Sequence, residues 1–257
     1  MKNYKAYCFD LDGTVYRGKK GIDSAVRFIH QLQQENIDYF FVTNNSSKTR
    51  EQLQQALANI GIDTPTFRIY SSALTTAKYV AEHFDKATIF MVGSDGIRTA
   101  LEAEGIRIVD TDEARPDVVV MGIDRTVDYM KLVKASLAVQ GGAKLIGTNE
   151  DVRFPSELGF LPGNGSFVNL VANVAAVEPT YIGKPSPVML EVIQQEFGLA
   201  KEDMVMVGDN YDTDILCGIR FGCDTIHVNT GVTSTSIVLQ KDQKPTYCVE
   251  NLDEVKI

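Results

Sequence analysis

The chain is expected to fold as an α/β protein on a parallel sheet. Short apolar runs alternate along its 257 residues with longer stretches of helical periodicity, the pattern of strands joined by helical crossovers. Acidic, hydroxyl and amide residues directly follow several of those runs, and in a parallel sheet chemistry collects beyond the carboxyl ends of the strands. The length and a hydrophobic content of 44% allow one large domain or two modest ones with ample core.

The first strand is placed at residues 6–9, an apolar run that stops at Asp10. Helical spacing of apolar residues covers 24–35, a strand follows at 39–43, and helices come next at 48–60 and 73–83. The alternation resumes with strand 88–92, helix 97–104, strand 118–121 and helix 129–140, for which Asp128 is the expected cap. It continues through strand 144–146, helix 166–176, strand 180–182 and helix 187–197. Strand 204–207 leads into a helix at 214–221, with Asp212 and Thr213 as its caps, and strand 224–227 closes the regular part. The tail beyond Gly231 is less regular, with one more strand at 247–249. Gly93-Ser94-Asp95-Gly96 is a plain strand-to-helix turn, because it lacks the full glycine pattern of a nucleotide-binding loop.

Four strand ends hold the chemistry. Asp10-Leu11-Asp12-Gly13-Thr14 puts two carboxylates one residue apart, where alternation points both the same way and Gly13 lets the chain turn. Carboxylates this close repel, so a divalent cation is their natural partner. An Asp-Gly turn alone is common, but the four specified residues occur by chance in roughly one chain in 300 of this length, so partners are sought elsewhere. They are Thr43-Asn44-Asn45-Ser46, Gly183-Lys184-Pro185 and Gly208-Asp209-Asn210, with Asp212 and Asp214 close behind. Singly each has an ordinary reading: Thr43 starting a helix, Lys184 a solvated loop lysine, Asp212 favouring a helix dipole. Together they match the parts of phosphoryl transfer through an aspartyl-phosphate. Asp10 is the nucleophile, kept ionised by Mg²⁺ and Lys184, and Asp12 acts first as acid and then as base. Thr43, with Asn44, Asn45 and the amides there, binds the phosphoryl oxygens, and Lys184 balances charge. Asp209 holds Mg²⁺ with Asp10 and the Asp12 backbone carbonyl, while Asp214 orients waters or pairs with Lys184.

These four sites resemble the motifs of the haloacid dehalogenase superfamily of phosphatases. The chain is similar within it to the NagD-like, para-nitrophenyl-phosphatase-like subfamily, through Thr43-Asn44-Asn45-Ser46, Gly122-Ile123-Asp124, Gly147-Thr148-Asn149, Pro162-Gly163-Asn164-Gly165 and Gly183-Lys184-Pro185. Glu150 departs from the subfamily's Thr-Asn-Pro-Asp, and Asn210 occupies a variable slot. The resemblance implies a Rossmann-like core formed by residues 1–78 and 180–257, with an inserted α/β cap at 79–179. Such a cap excludes water and selects the substrate, which places Arg125 and residues 148–151 among the expected selecting positions.

A formal charge of −9 without a Lys/Arg cluster argues against a nucleic-acid partner. No apolar run reaches bilayer length and no signal peptide precedes the first strand, so a cytoplasmic protein is expected. Cys8, Cys217, Cys223 and Cys248 lack paired spacing, and Cys8 and Cys217 read as buried thiols. His30, His83 and His227 show no metal-ligand spacing and read as structural or solvated, and Gly183-Lys184-Pro185-Ser186 lacks the upstream glycine of a P-loop. The expected activity is Mg²⁺-dependent hydrolysis of a small phosphorylated metabolite, of the sugar-phosphate or nucleotide type. A phosphomutase and a non-catalytic binding homologue are the alternatives, and a homodimer is compatible with the sequence.

Overall fold

The computed structural model describes residues 1–111, 114–156 and 158–257. In chain order its elements begin β1 Ala6–Phe9, β2 Tyr16–Arg17, β3 Lys20–Gly21, α1 Asp23–Gln34, β4 Asp38–Thr43, α2 Arg50–Ala58, β5 Ile69–Ser71 and α3 Ser72–His83. They continue β6 Thr88–Val92, α4 Asp95–Ala103, β7 Arg107–Ile108, β8 Val118–Met121, α5 Tyr129–Gln140, β9 Lys144–Gly147, β10 Arg153–Ser156, β11 Gly159–Pro162 and α6 Asn164–Ala175. The last are β12 Thr180–Tyr181, α7 Val188–Phe197, β13 Met204–Gly208, α8 Leu216–Phe221, β14 Asp224–Val228, α9 Thr235–Val238 and β15 Tyr247–Val249. The chain divides into two compact units. One comprises Met1–Thr43, Arg50–Tyr70 and Lys184–Ile257, and the other Asn44–Thr49 and Ser71–Gly183. Among the described residues no helix is long and apolar enough to cross a membrane.

The first unit is built on a sheet of order β15-β14-β13-β1-β4-β5, with β1 parallel to both β13 and β4. Strand alternation divides its apolar residues between two cores. Tyr7, Phe9, Tyr39, Phe41, Val205 and Val207 face one layer with Phe28 and Leu32 of α1 and Leu53 and Leu57 of α2. Cys8, Phe40, Val42, Met204 and Met206 face the other, against Met189 and Ile193 of α7 and Cys217 and Phe221 of α8. A sheet buried on both faces needs near-continuous apolar strands, which is why 6–9 and 204–207 stand out in the sequence. The order departs from β1 in both directions, so the crevice of a doubly wound sheet opens where β1 ends, at Asp10.

The second unit has a parallel sheet of order β12-β9-β8-β6-β7 and a separate antiparallel hairpin, β10–β11. Helices α5 and α6 cover one sheet face through Ala135, Val139, Val168 and Val171. Residues 44–49 join this unit because the Gly96 amide donates to the Ser47 carbonyl at 3.1 Å, where a Cβ on Gly96 would meet the Ser46 and Lys48 carbonyl oxygens.

Asp128 caps α5 as expected, its carboxylate accepting from the Lys131 amide at 2.8 Å. The helix expected at 214–221 is present as α8 but starts at Leu216, and its expected caps are corrected. A π-turn occupies Tyr211–Ile215, and its cap is the Asn210 side chain, which accepts from the Asp212 amide; neither Asp212 nor Thr213 caps it. Exposed Asp212 pairs instead with Lys241 at 2.9 Å. The strands that the sequence did not announce are β2, β3, β5, β7 and the β10–β11 pair. Four of them are too short to show periodicity, and the β10–β11 pair ends in exposed residues that no core pattern marks.

Candidate active site

The expected site residues of the first unit gather around the end of β1. Extending the β1 register by one residue sets Asp10 level with Val42 of β4 and Gly208 of β13. Lys184 is 1% exposed, and its Nζ lies 2.5 Å from Asp10 Oδ1, 2.8 Å from the Val42 carbonyl oxygen and 2.8 Å from Asp214 Oδ1. Burial alone would lower the pKa of such a lysine, but Asp10 and Asp214 reverse the sign and hold it charged. The solvated-loop reading of Lys184 is thereby excluded.

Asp209 follows β13 directly. The Thr14 hydroxyl donates to its Oδ1 at 2.9 Å and the Val232 amide to its Oδ2 at 2.6 Å. Asp214 is returned to the same place by the π-turn, a local widening common at functional sites. The Asn210 amide donates to its Oδ2 at 3.0 Å and the Thr213 hydroxyl to its Oδ1 at 3.1 Å. Gly208 is required here, because a Cβ would overlap the Asp214 carboxylate. Gly13 has φ +95°, and a Cβ there would come 2.6 Å from the Asp209 oxygens, so both backbone conformation and space demand glycine.

One oxygen from each of Asp10, Asp209 and Asp214 lies within 4.8 Å of the others. Three carboxylates face a single lysine, which leaves an excess of two negative charges. Burial and Asp214 push the Asp10 pKa well up while Lys184 pulls it down. Burial and Asp214 also push Asp209 up to about 6, against the Val232 and Thr14 donors. Lys184 at 2.5 Å thus works against both burial and Asp214 in keeping Asp10 charged. Buried oxygen donors with two uncompensated charges fit a hard divalent cation. The gathered set includes Asp214, whereas Asp12 is exposed and its backbone bridges to Tyr16.

Thr43 is the buried last residue of β4. Asn44 and Asn45 fall in the second unit and have structural partners there. Asn44 Nδ2 donates to Asp151 at 3.1 Å, and Asn45 Oδ1 accepts from the Ser47 and Lys48 amides, each at 3.0 Å. In the same unit Asp124 pairs with Lys131 at 2.6 Å, and the Arg125 guanidinium lies 5.9 Å from the Phe154 ring centre. Asn149 is buried, its side chain donating to the Asn44 carbonyl and accepting from the Asp151 amide.

Gly231 and the Val232 amide carried no weight in the sequence, and Thr14 entered only as a member of the Asp-Leu-Asp-Gly-Thr pattern, without a partner assigned to its hydroxyl. A signal existed: residues 229–233 follow the strand read at 224–227, so they too lie at a strand end.

Residues 7–107 match the family model described as haloacid dehalogenase-like hydrolase, and residues 181–255 match one described as HAD-hydrolase-like. An acid sugar phosphatase of Staphylococcus haemolyticus (strain JCSC1435) is 46% identical over 253 residues, covering 98% of this chain and 95% of that protein. A double mutant of thermostable NPPase from Geobacillus stearothermophilus superposes with a TM-score of 0.92 at 44% identity, covering 100% of this chain and 99% of that one. The p-nitrophenyl phosphatase from Archaeoglobus fulgidus gives 0.92 at 30% identity, over 98% and 97% of the two chains. Likeness over nearly the whole length of several proteins of one kind decides the assignment: the chain belongs to the haloacid dehalogenase-like hydrolases, in their NagD-like, p-nitrophenylphosphatase group, and is a phosphoric monoester hydrolase.

Proposed function

We propose that this chain hydrolyses small phosphomonoesters of the sugar-phosphate class with Mg²⁺, through an aspartyl-phosphate on Asp10. The observation that carries the reading is the buried Asp10 carboxylate held at 2.5 Å from Lys184 within the carboxylate cluster. The sugar-phosphate class is suggested by the relatives named acid sugar phosphatase.

In the first step an Asp10 oxygen forms a bond to phosphorus as the bond to the ester oxygen breaks, and Asp12 gives its proton to the departing alkoxide. Asp12, whose side chain is exposed, then removes a proton from water, which attacks phosphorus and frees both phosphate and Asp10. Lys184 and the Thr43 hydroxyl stabilise charge on the phosphoryl oxygens. Asp10, Asp209 and the Asp12 carbonyl would hold Mg²⁺, which when bound neutralises phosphate charge, while Asp214 fixes Lys184.

A panel of sugar phosphates and nucleotides, assayed for inorganic phosphate with Mg²⁺ and then with chelator, tests the reading. Phosphate release from sugar phosphates, abolished by chelation and restored by Mg²⁺, is expected. Phosphate returned to another hydroxyl of the sugar would mark a mutase instead. Ca²⁺ is expected to bind and inhibit, because its longer, more numerous ligand bonds draw both Asp10 oxygens and misplace the nucleophile. Full activity with Ca²⁺ alone would refute that geometric point.

Substrate choice is assigned to the second unit, with exposed Arg125 as the fork for an anionic substrate group. Arg125→Ala is expected to change relative kcat/KM among sugar phosphates by about tenfold while p-nitrophenyl phosphate hydrolysis stays within about twofold. A common factor for all substrates would remove Arg125 from specificity. Asn149, expected to act with it, is the poorer probe, since its amide holds Asn44 and Asp151 in place.

A further inference from the structure

His227 of β14 is fully buried, and its ring is half satisfied. Nε2 lies 2.8 Å from the Thr233 carbonyl oxygen, which only accepts, so Nε2 carries the hydrogen. Among the described residues Nδ1 is then a buried acceptor with no hydrogen-bond partner.

The other end reaches the carboxylate cluster through residues 230–233. The Thr233 amide donates to the Asp209 carbonyl at 3.2 Å, the Val232 amide donates to Asp209 Oδ2 at 2.6 Å, and the Tyr211 amide donates to Thr233 Oγ1 at 3.1 Å. The Thr230 hydroxyl donates to the Gly13 carbonyl at 2.6 Å. At Gly231 the backbone passes so close that a Cβ would fall on the Asp209 carboxylate. These four residues form a strap across Asp209. His227 fastens one end of it, and Arg17 Nε, donating to the Thr230 carbonyl at 2.8 Å, fastens the other.

We infer that His227 is a positioning residue for the cation site: by holding Thr233 it presses the strap onto Asp209 and fixes the orientation of that carboxylate. This inference rests on the proposed Mg²⁺ reading. The ring acts as a donor through Nε2, which faces the Thr233 carbonyl oxygen. Substitution of a group bonded directly to a ligand typically costs about 10–100-fold in metal affinity; the Val232 amide stands in that position toward Asp209, and His227 acts one contact further out, through Thr233.

The test is Mg²⁺ affinity, read by isothermal titration calorimetry and by the Mg²⁺ dependence of Tm, in the full chain and three variants. His227→Leu removes the donor, His227→Gln keeps an N–H at similar reach, and Arg17→Ala loosens the strap from the exposed side without touching the core. Expected are affinity about tenfold weaker in His227→Leu, the lower end of that range, near-native affinity in His227→Gln, and a severalfold loss in Arg17→Ala. Affinity within twofold of native in a folded His227→Leu overturns the inference while the metal reading stands. Should His227→Leu fail to fold, an unchanged affinity in Arg17→Ala overturns it. No Mg²⁺ binding by the unaltered protein would instead remove the metal reading itself.

Discussion

Asp10→Asn is expected to lower phosphate release by at least about a thousandfold, roughly 4 kcal/mol of transition-state stabilisation, without loss of fold. Asn matches Asp in shape, and its amide oxygen can still accept from Lys184, 2.5 Å away in the native protein. It cannot attack phosphorus as a carboxylate. The substitution also removes one of three buried like charges, so Tm is expected to stay level or rise. Activity above a few per cent in protein shown by mass to be free of deamidated Asp10 would withdraw the nucleophile assignment.

Lys184→Met is expected to cost both activity and stability. Lys184 is buried between Asp10 and Asp214 and is their shared countercharge. Removing one partner of a buried ion pair costs about 3–5 kcal/mol, because the remaining charge is left uncompensated. At this chain length that corresponds to a Tm lowered by roughly 6–20 °C. Mg²⁺ should recover part of the loss, since it neutralises the same carboxylates. Thermal melts with and without Mg²⁺ check both points. An unchanged Tm in chelator would show that Lys184 does not balance the cluster.

The parts legible in the sequence were those where one physical rule acts alone. Strands buried on both faces, such as 6–9 and 204–207, must be continuously apolar, and they were placed to within a residue. Asp10, Asp209 and Lys184 were found because they stand at strand ends, where a parallel sheet concentrates polar groups. What escaped depends on tertiary geometry. The π-turn that swings Asp214 inward looks like an ordinary first helical turn, since Asp212 and Thr213 are good capping residues. Only the fold shows that Asn210 takes the cap. Gly231 and the Val232 amide act through backbone, which leaves no chemical mark beyond a glycine. The ionisation of Asp10 was read from Lys184 and a cation; burial and the nearness of Asp214, which oppose it, are invisible along a chain.

The central claim, that the phosphoryl group passes through Asp10 on its way to water, is tested most directly by the stereochemistry at phosphorus. A phosphorothioate ester made chiral at phosphorus with one oxygen isotope, hydrolysed with Mg²⁺ in water carrying another, yields chiral thiophosphate whose configuration counts the displacements. Two in-line displacements, first by Asp10 and then by water, give net retention, and retention is the expected result. Net inversion would mean that water attacks the ester in a single step, with no aspartyl-phosphate, and would contradict the claim.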